Sequence, residues 1–245
     1  MKKILLFDVD GTIAESSQKI SAQMKTKLTN LRDSGYELGI VGGGRYEKIV
    51  EQIDGLNLDH IFAESGCVYY QKDTLVYKKS IRSHWLYPKI NLIIKRALAY
   101  LANVDYEITG HFVDLRNGII YLSLIGMAAT LEERATFLKL DKVHEYKLKL
   151  LHLLQKMAVD LGIEKDLVIL EGGSVGIGIY PTEWDKTQVL ESLASEYTEI
   201  HYFGDKYEPS GNDYHLLHHS RVNGHPVNSP EECLEILNKI SNNYK

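Results

Sequence analysis

The most constraining feature of this sequence is a short apolar run near its start that ends in two aspartates. Residues 3–7 are followed at once by the segment DVDGT, which places Asp8 and Asp10 one residue apart. A continuous apolar run with polar boundaries is typical of a strand that is buried on both faces of a parallel sheet. Ligands of open α/β sheets bind at the carboxyl ends of the strands. Both carboxylates are therefore predicted to face a binding crevice.

Apolar runs and helical patterns alternate along the first part of the chain. Residues 20–31 and 45–53 carry apolar side chains at helical spacing, and residues 38–41 and 60–63 are short apolar runs. This alternation predicts a right-handed, doubly wound α/β unit. The pattern returns near the end of the sequence, where residues 200–203 form another apolar run.

The middle of the chain has a different pattern, in which segments that suit antiparallel strands are mixed with helical stretches. It indicates an inserted domain over 83–182, which splits the core into 1–82 and 183–245. Helices are predicted over 90–101, 131–138, 144–161 and, after the insertion, 184–195. The predicted fold class is α/β: a Rossmann-like core with a parallel sheet, plus an inserted α+β cap domain with an antiparallel sheet and helices.

Composition excludes several classes of function. The formal charge of -5 would repel a nucleic-acid backbone. No stretch approaches the roughly 20 apolar residues that span a bilayer, and the first apolar run stops at Asp8, too early for a secretory signal. Cys67 and Cys233 lie far apart in sequence, which suits reduced thiols. We expect a cytoplasmic protein with no nucleic-acid and no membrane partner.

The DVDGT segment carries the strongest chemical signal. Phosphoryl transfer needs a nucleophile and a proton shuttle, and we assign these roles to Asp8 and Asp10. The plainer alternative is a strand followed by Asp10 as an acidic N-cap of a helix.

A second acidic segment follows the late apolar strand, at Gly204-Asp205 and at Gly211-Asn212-Asp213. Mg²⁺ takes few protein oxygens and keeps water and substrate phosphate as its other ligands. We predict a Mg²⁺ site in which Asp205 coordinates the ion together with Asp8 and Asp10. Asn212 and Asp213 would organise the metal's water molecules. Taken alone, this segment is more typical of an ordinary Gly/Asn/Asp turn.

Two further features support phosphate binding. Lys186 begins the segment that re-enters the core, where its charge would balance the phosphate and the Asp8 carboxylate; a lysine there is more often a solvated surface residue. Gly43 and Gly44 close the second strand just before a helix, so their N–H groups are predicted to cradle a phosphate. The plainer alternative is an ordinary glycine turn.

Taken together, these motifs resemble those of the haloacid dehalogenase phosphotransferases. The segments VGGGRYEK, FAESG, LRNGIIYLSLIG, LEER, YPTEWDK and YFGDKYEPSGND narrow the resemblance to the eukaryotic-type α-phosphomannomutases. The resemblance implies a sugar-phosphate substrate, Mg²⁺, a hexose bisphosphate activator and a homodimer formed through the cap. It also implies that Arg116 and Arg134 hold the substrate's second phosphate.

This sequence departs from the family pattern at its substrate positions. Ser17 and Met127 stand where the family has arginines, and Gly176 and Gly178 take the places of a serine and an aspartate that contact the sugar. Each missing arginine removes a charge-assisted contact worth on the order of 1.5–3 kcal/mol. The catalytic carboxylates are complete, while the contacts to the sugar phosphate are fewer.

Three functions therefore remain open at this point. A phosphomannomutase or related hexose-phosphate mutase is the first, supported by Arg116 and Arg134. A sugar-phosphate phosphatase with the same Asp8 intermediate is the second, favoured by the loss at Met127 and Gly178. The third is a binding or scaffold protein, which the complete set of carboxylates disfavours.

Overall fold

The computed structural model describes residues 2–193 and 197–242. The chain divides into two compact units. Unit 1 runs up to Lys79 and resumes at Trp184, and unit 2 spans Ser80–Glu183. The sequence pattern placed the insertion at 83–182. Among the described residues, no helix is both long enough and apolar enough to cross a membrane.

Unit 1 contains seven strands and five helices in its described part. The strands are β1 (Lys2–Phe7), β2 (Tyr36–Val41), β3 (His60–Ala63), β4 (Val68–Gln71), β5 (Thr74–Lys78), β10 (Tyr197–Gly204) and β11 (Asn223–Pro226). The helices are α1 (Ala22–Asp33), α2 (Tyr46–Ile53), α6 (Val189–Ser192), α7 (Tyr214–Leu217) and α8 (Pro230–Asn242).

The seven strands form one sheet in the order β11-β10-β1-β2-β3-β4-β5. The first five in this order are parallel, and β4 and β5 add an antiparallel edge. Strand β1 alternates between the two faces: Leu5 and Phe7 pack with α1 and α8, whereas Ile4 and Leu6 pack with α6 and α7. Burial on both faces explains the continuous apolar run of β1.

Unit 2 is a four-stranded antiparallel sheet with helices. Its strands are β6 (Val113–Leu115), β7 (Ile120–Ser123), β8 (Leu167–Gly172) and β9 (Gly176–Pro181), in the order β6-β7-β9-β8. Its helices are α3 (Tyr87–Leu101), α4 (Leu131–His144) and α5 (Tyr146–Asp160). Helix α5 packs on α3 and on β8 and β9. The predicted fold class, a parallel core with a separate antiparallel α+β unit, is confirmed.

Two helix predictions were wrong in their bounds. Helix α4 does not stop at residue 138 but continues to His144, because Glu145 with φ 55° is the first residue that breaks it. The predicted helix over 184–195 is instead a 3₁₀ turn over Lys186–Gln188 followed by α6. Asp185 caps that turn by accepting the N–H of Thr187 at 2.8 Å. Residues 194 and 195 of the predicted helix lie outside the described residues.

Candidate active site

The site is built where two neighbouring parallel strands end. Strand β1 pairs with β10 so that Phe7 lies opposite Phe203. Asp8 follows Phe7, and its N–H continues the ladder by donating to the carbonyl of Phe203 at 2.9 Å. Asp205 follows the end of β10, so the sheet register places both carboxylates at one edge.

Lys186 is the centre of the buried charge network. It is 1% exposed, and its ammonium donates to Asp8 Oδ1 and to Asp213 Oδ1, each at 2.6 Å. It also donates to the hydroxyl of Tyr202 at 3.1 Å, and that hydroxyl in turn donates to Asp213 Oδ1. The second oxygen of Asp213 accepts the N–H of Lys206 at 3.0 Å. Asp8 Oδ2 accepts no hydrogen bond from the described residues, so this oxygen is free to react.

Burial and neighbouring charges set the protonation of these groups. Burial, helped by Asp213 and Asp205 and opposed by Lys186, raises the pKa of Asp8 to about 7. For Asp213, burial would raise the pKa, but Lys186, Tyr202 and the Lys206 N–H outweigh it and lower the pKa below its usual value. Burial would lower the pKa of Lys186, yet Asp213 and Asp8 together raise it, so the ammonium stays charged.

Three carboxylates converge closely enough to share one cation. One oxygen each from Asp8, Asp205 and Asp213 lies within 4.8 Å of the others. Gly11, with φ +82°, permits this approach, because a Cβ there would lie only 2.7 Å from Asp205 Oδ2. Oxygen donors of this kind match the preference of Mg²⁺.

The Asp10 carboxylate lies outside this cluster and is held by helix α2. It accepts from the Ser17 N–H at 2.7 Å, from Gln52 Nε2 at 2.8 Å and from Lys48 Nζ at 3.0 Å. Burial would raise the pKa of Asp10, but these donors outweigh it and lower the pKa below its usual value. Asp10 is therefore ionised at neutral pH.

The glycine loop after β2 offers unused main-chain donors. The carbonyls of Gly42 and Gly44 accept the N–H groups of Ser65 and Glu64, each at 2.9 Å. The N–H groups of Gly43 and Gly44, in contrast, donate to no described residue. A Cβ on Gly43 would lie 3.8 Å from Asn212 Nδ2. The exposed Asn212 is therefore next to this loop.

Unit 2 holds the two predicted arginines. The Thr130–Glu133 capping box fixes the start of α4, and Arg134, in its first turn, donates to the carbonyls of Ala129 at 3.1 Å and Met127 at 3.3 Å. At the β6–β7 turn, Arg116 Nε donates to Asp114 Oδ2 at 2.6 Å. Its guanidinium lies over the ring of Tyr121, 5.6 Å from the centroid.

Gly176 and Gly178 lie on β9, opposite Ser123 and Tyr121 of β7. Two cavities of about 500 and 450 Å³ also lie in unit 2, among α3, α4 and α5, but none of the predicted site residues lines either of them.

Two contributors to the site, Gln52 and Tyr202, were not predicted from the sequence. Gln52 is 5% exposed on the apolar face of α2, beside Ile49 and Ile53. A glutamine on such a face needs a polar partner, which was the available signal for its bond to Asp10. Tyr202 gave no signal, because a tyrosine in an apolar strand is ordinarily a packing residue.

Solved structures share this fold at low sequence identity. A haloacid dehalogenase-like hydrolase from Bacteroides thetaiotaomicron matches with a TM-score of 0.63 and 13% identity, over 98% of this chain and all of the other. IMP-nucleotidase from Plasmodium falciparum matches with a TM-score of 0.70 and 14% identity, over 98% of this chain and 68% of the other. The protein therefore has the fold of the haloacid dehalogenase superfamily.

Sequence comparison defines the family within that superfamily. A family model of eukaryotic phosphomannomutases matches residues 24–243. Phosphomannomutase 1 of Homo sapiens is 34% identical over 97% of this chain and 91% of its own length. A probable phosphomannomutase of Caenorhabditis elegans is 36% identical over 98% of this chain and 95% of its own length. The chain belongs to the eukaryotic phosphomannomutase family.

Proposed function

We propose that this protein is a Mg²⁺-dependent phosphomannomutase that transfers a phosphoryl group through an aspartyl-phosphate on Asp8. The observation that carries the proposal is the pairing of Asp8 Oδ1 with a buried lysine, which leaves Asp8 Oδ2 without a hydrogen-bond donor among the described residues. Membership of the eukaryotic phosphomannomutase family supports a sugar-phosphate substrate, and we infer mannose 6-phosphate and mannose 1-phosphate as the exchanged pair.

In the first step, Asp8 Oδ2 attacks phosphorus and the bond from phosphorus to the sugar oxygen breaks. Asp10, which is ionised in the resting site, first takes up a proton from solvent and then gives it to the departing oxygen. In the second step, a hydroxyl of the sugar phosphate attacks the aspartyl-phosphate, Asp10 accepts its proton, and the Asp8 carboxylate is restored. Lys186 stays protonated throughout and offsets the negative charge on Asp8.

The acidic cluster fits one Mg²⁺ ion, because all of its donors are carboxylate oxygens. Asp8 and Asp205 would hold the ion. Both oxygens of Asp213 already accept hydrogen bonds, so we assign Asp213 to positioning Lys186 and the loop at Lys206. When bound, the cation neutralises phosphoryl charge. The exposed Asn212 would contact its water shell.

Unit 2 would act as the substrate-specificity cap. Arg134 pairs with no carboxylate among the described residues and is held by main-chain carbonyls, so its charge is available to an anion. Among the residues that the structure describes, Arg116 donates to Asp114 through Nε alone. We assign these two arginines to the phosphate that is not being transferred. The N–H groups of Gly43 and Gly44 would bind the phosphate that is.

A mutase of this design uses a hexose bisphosphate as activator and intermediate, since the phosphorylated Asp8 must meet a sugar that already carries one phosphate. The family also predicts a homodimer formed through the cap. On α3, Leu92 and Leu98 are 44% and 40% exposed, which gives such an interface apolar side chains. Light scattering of the purified protein tests this assembly directly.

A sugar-phosphate phosphatase is the second candidate, because Met127 is 38% exposed at a position where the family pattern has an arginine. With fewer contacts to the ligand, release of the intermediate competes better with its reorientation. Water would then attack the aspartyl-phosphate.

³¹P NMR separates the two functions. The purified protein is incubated with Mg²⁺, mannose 1-phosphate and a trace of hexose 1,6-bisphosphate, with glucose 1-phosphate and the Asp8→Asn variant in parallel samples. Conversion to the 6-phosphate with little inorganic phosphate supports the mutase. Inorganic phosphate without isomerisation supports the phosphatase. Turnover by Asp8→Asn would contradict both.

A further inference from the structure

Tyr121 fills the space beside the glycines of the β8–β9 hairpin. A Cβ added to Gly176 would lie 2.3 Å from both Cζ and the hydroxyl oxygen of Tyr121. A Cβ on Gly172 would lie 3.0 Å from Cε2 of the same ring, and one on Gly173 would lie 3.6 Å from its hydroxyl. The three glycines therefore leave open the space that the side chain of Tyr121 occupies.

The phenol of Tyr121 contacts Arg116 and lies within the electrostatic influence of Arg134. The Arg116 guanidinium lies over its ring. Burial raises the pKa of Tyr121, and the charges of Arg134 and Arg116 oppose that rise, so both cations act on the same hydroxyl. Tyr121, Arg116 and Arg134 are all half-buried.

Several donors at this place have no acceptor. Among the described residues, the Tyr121 hydroxyl makes no hydrogen bond, and neither do Nη1 and Nη2 of Arg116 or Nη1 of Arg134. A group of donors around two cations is complementary to an anion with several acceptor oxygens, and a phosphoryl group is the anion of that shape.

We propose that Tyr121 is a phosphate-binding residue, whose hydroxyl donates to the phosphoryl group held by Arg116 and Arg134. The hydroxyl lies where the side chain of residue 176 would begin, so it takes the place of the hydroxyl that the serine of the family pattern provides. This inference rests on the proposed function, because it concerns the same sugar-phosphate ligand.

Position 178 indicates the substrate class. In place of the aspartate of the family pattern it has a glycine, and a Cβ there would lie 3.2 Å from Cδ1 of Ile119. An acceptor for sugar hydroxyls is therefore replaced by apolar surroundings. A site that makes few hydrogen bonds to a sugar discriminates weakly against analogues that lack a hydroxyl. The ligand is thus a sugar phosphate recognised by its phosphate more than by its ring hydroxyls.

Calorimetric titration of the Asp8→Asn protein, which cannot turn over, tests the inference. The probes are mannose 6-phosphate and 2-deoxyglucose 6-phosphate, which lacks the hydroxyl at C2. The parent should bind both esters with dissociation constants within about tenfold of each other. Adding Tyr121→Phe should weaken both by the same factor, on the order of 10- to 100-fold, as expected for a lost bond to a charged group.

Tyr100→Phe is the matched control, because its hydroxyl donates to the carbonyl of Tyr146 within unit 2. It should leave both dissociation constants unchanged. Two further variants, Gly176→Ser and Gly176→Ser/Tyr121→Ala, test whether a side chain at position 176 and the Tyr121 ring compete for the same space. The single change should weaken binding through the collision, and the double change should bind more tightly than Tyr121→Ala alone.

Three results would overturn the inference. The first is an affinity within twofold of the parent for Tyr121→Phe with an unchanged melting temperature. The second is a loss confined to mannose 6-phosphate, which would place the contact on a ring hydroxyl. The third is a parent that binds neither ester, which removes the proposed function as well and is thereby distinguished from the first two.

Discussion

Lys186 and Asp8 are 178 residues apart in sequence, yet the lysine ammonium lies 2.6 Å from Asp8 Oδ1 inside unit 1. The same ammonium is 2.6 Å from Asp213 Oδ1. One cation therefore serves two buried carboxylates, and it fixes Asp8 with one oxygen engaged and the other free. The arrangement links the stability of the core to the orientation of the proposed nucleophile.

Replacing Lys186 by Met should destabilise unit 1 by about 3–5 kcal/mol at pH 7.5, because two buried carboxylates lose their common partner. The loss should shrink as pH falls, since Asp8 and Asp213 can then accept protons and become neutral. Urea denaturation at pH 7.5 and pH 5 measures both effects.

Lys48→Met is the control for this change, because that lysine side chain is 44% exposed and removing a surface ion pair costs little. An equal loss of stability in the two variants would show that burial of the Lys186 ion pairs adds nothing to the free energy of unfolding.

Gln52→Leu should slow turnover about tenfold, as expected when a carboxylate loses one hydrogen-bond donor. The Gln52, Ser17 and Lys48 donors lower the pKa of Asp10. Without the glutamine, the pKa of Asp10 should rise, so the acid limb of the pH–rate profile, which Asp10 sets, should move to higher pH, while the limb set by Asp8 near pH 7 stays in place. Glu51→Gln, at the exposed neighbouring position of α2, should leave the profile in place. A slower enzyme with an unmoved acid limb would mean that Gln52 acts only on packing.

The sequence predicted the convergence of Asp8 and Asp205 because one topological rule governs it, whereas Lys186, in the 3₁₀ turn before α6, was assigned to the site only from the company of the other motifs. Carboxyl ends of parallel strands meet at one edge, and the buried runs of β1 and β10 are recognisable without any knowledge of their partners. The separation of unit 2 was visible for a similar reason, since its apolar periodicity differs from that of the core.

The orientation of side chains in the loops was not predictable in this way. Asp10 turns towards Gln52 and Lys48 of α2, a contact across 42 and 38 residues of sequence that depends on the path of the loop after β1. The sequence therefore assigned the Asp10 carboxylate to the metal, and the structure places it outside the acidic cluster. Tyr121 was missed because its position in a strand is consistent with ordinary packing, and its place beside Gly176 depends on the pairing of β7 with β9.

A second charge network, on β2, β3 and β10, should give the fold a pH dependence. Burial would raise the pKa of Glu37, but hydrogen bonds from Tyr197, His60 and Lys2 outweigh it and lower the pKa to about 2. The pKa of Glu37 in the folded protein lies below its unfolded value of about 4.3. The Glu37 carboxylate therefore makes its full contribution to the free energy of unfolding above that pH. This contribution is lost as pH falls towards 2.

Glu37→Gln should therefore cost about 1–2 kcal/mol at pH 7, a figure reduced from the full linkage value because the carboxylate is partly exposed. The difference from the parent should narrow between pH 4.5 and pH 2.5, as measured by urea midpoints. Glu235→Gln, at an exposed position of α8, should show no such difference at any pH. A difference in urea midpoint between Glu37→Gln and the parent that stays constant at every pH would count against a role for the Glu37 charge.

Gly11→Ala should weaken the response of the enzyme to Mg²⁺. The added Cβ would lie 2.7 Å from Asp205 Oδ2, so Asp205 must shift away from Asp8. The φ of +82° at Gly11 adds backbone strain of about 1 kcal/mol or more. Gly35→Ala separates these two effects, because Gly35 has φ +98° and its Cβ would meet nothing within 4 Å. Both variants should lose stability, but only Gly11→Ala should require a higher Mg²⁺ concentration for half-maximal activity. An equal shift in the two would assign the effect to general destabilisation, and no shift in either would remove Asp205 from the proposed metal site.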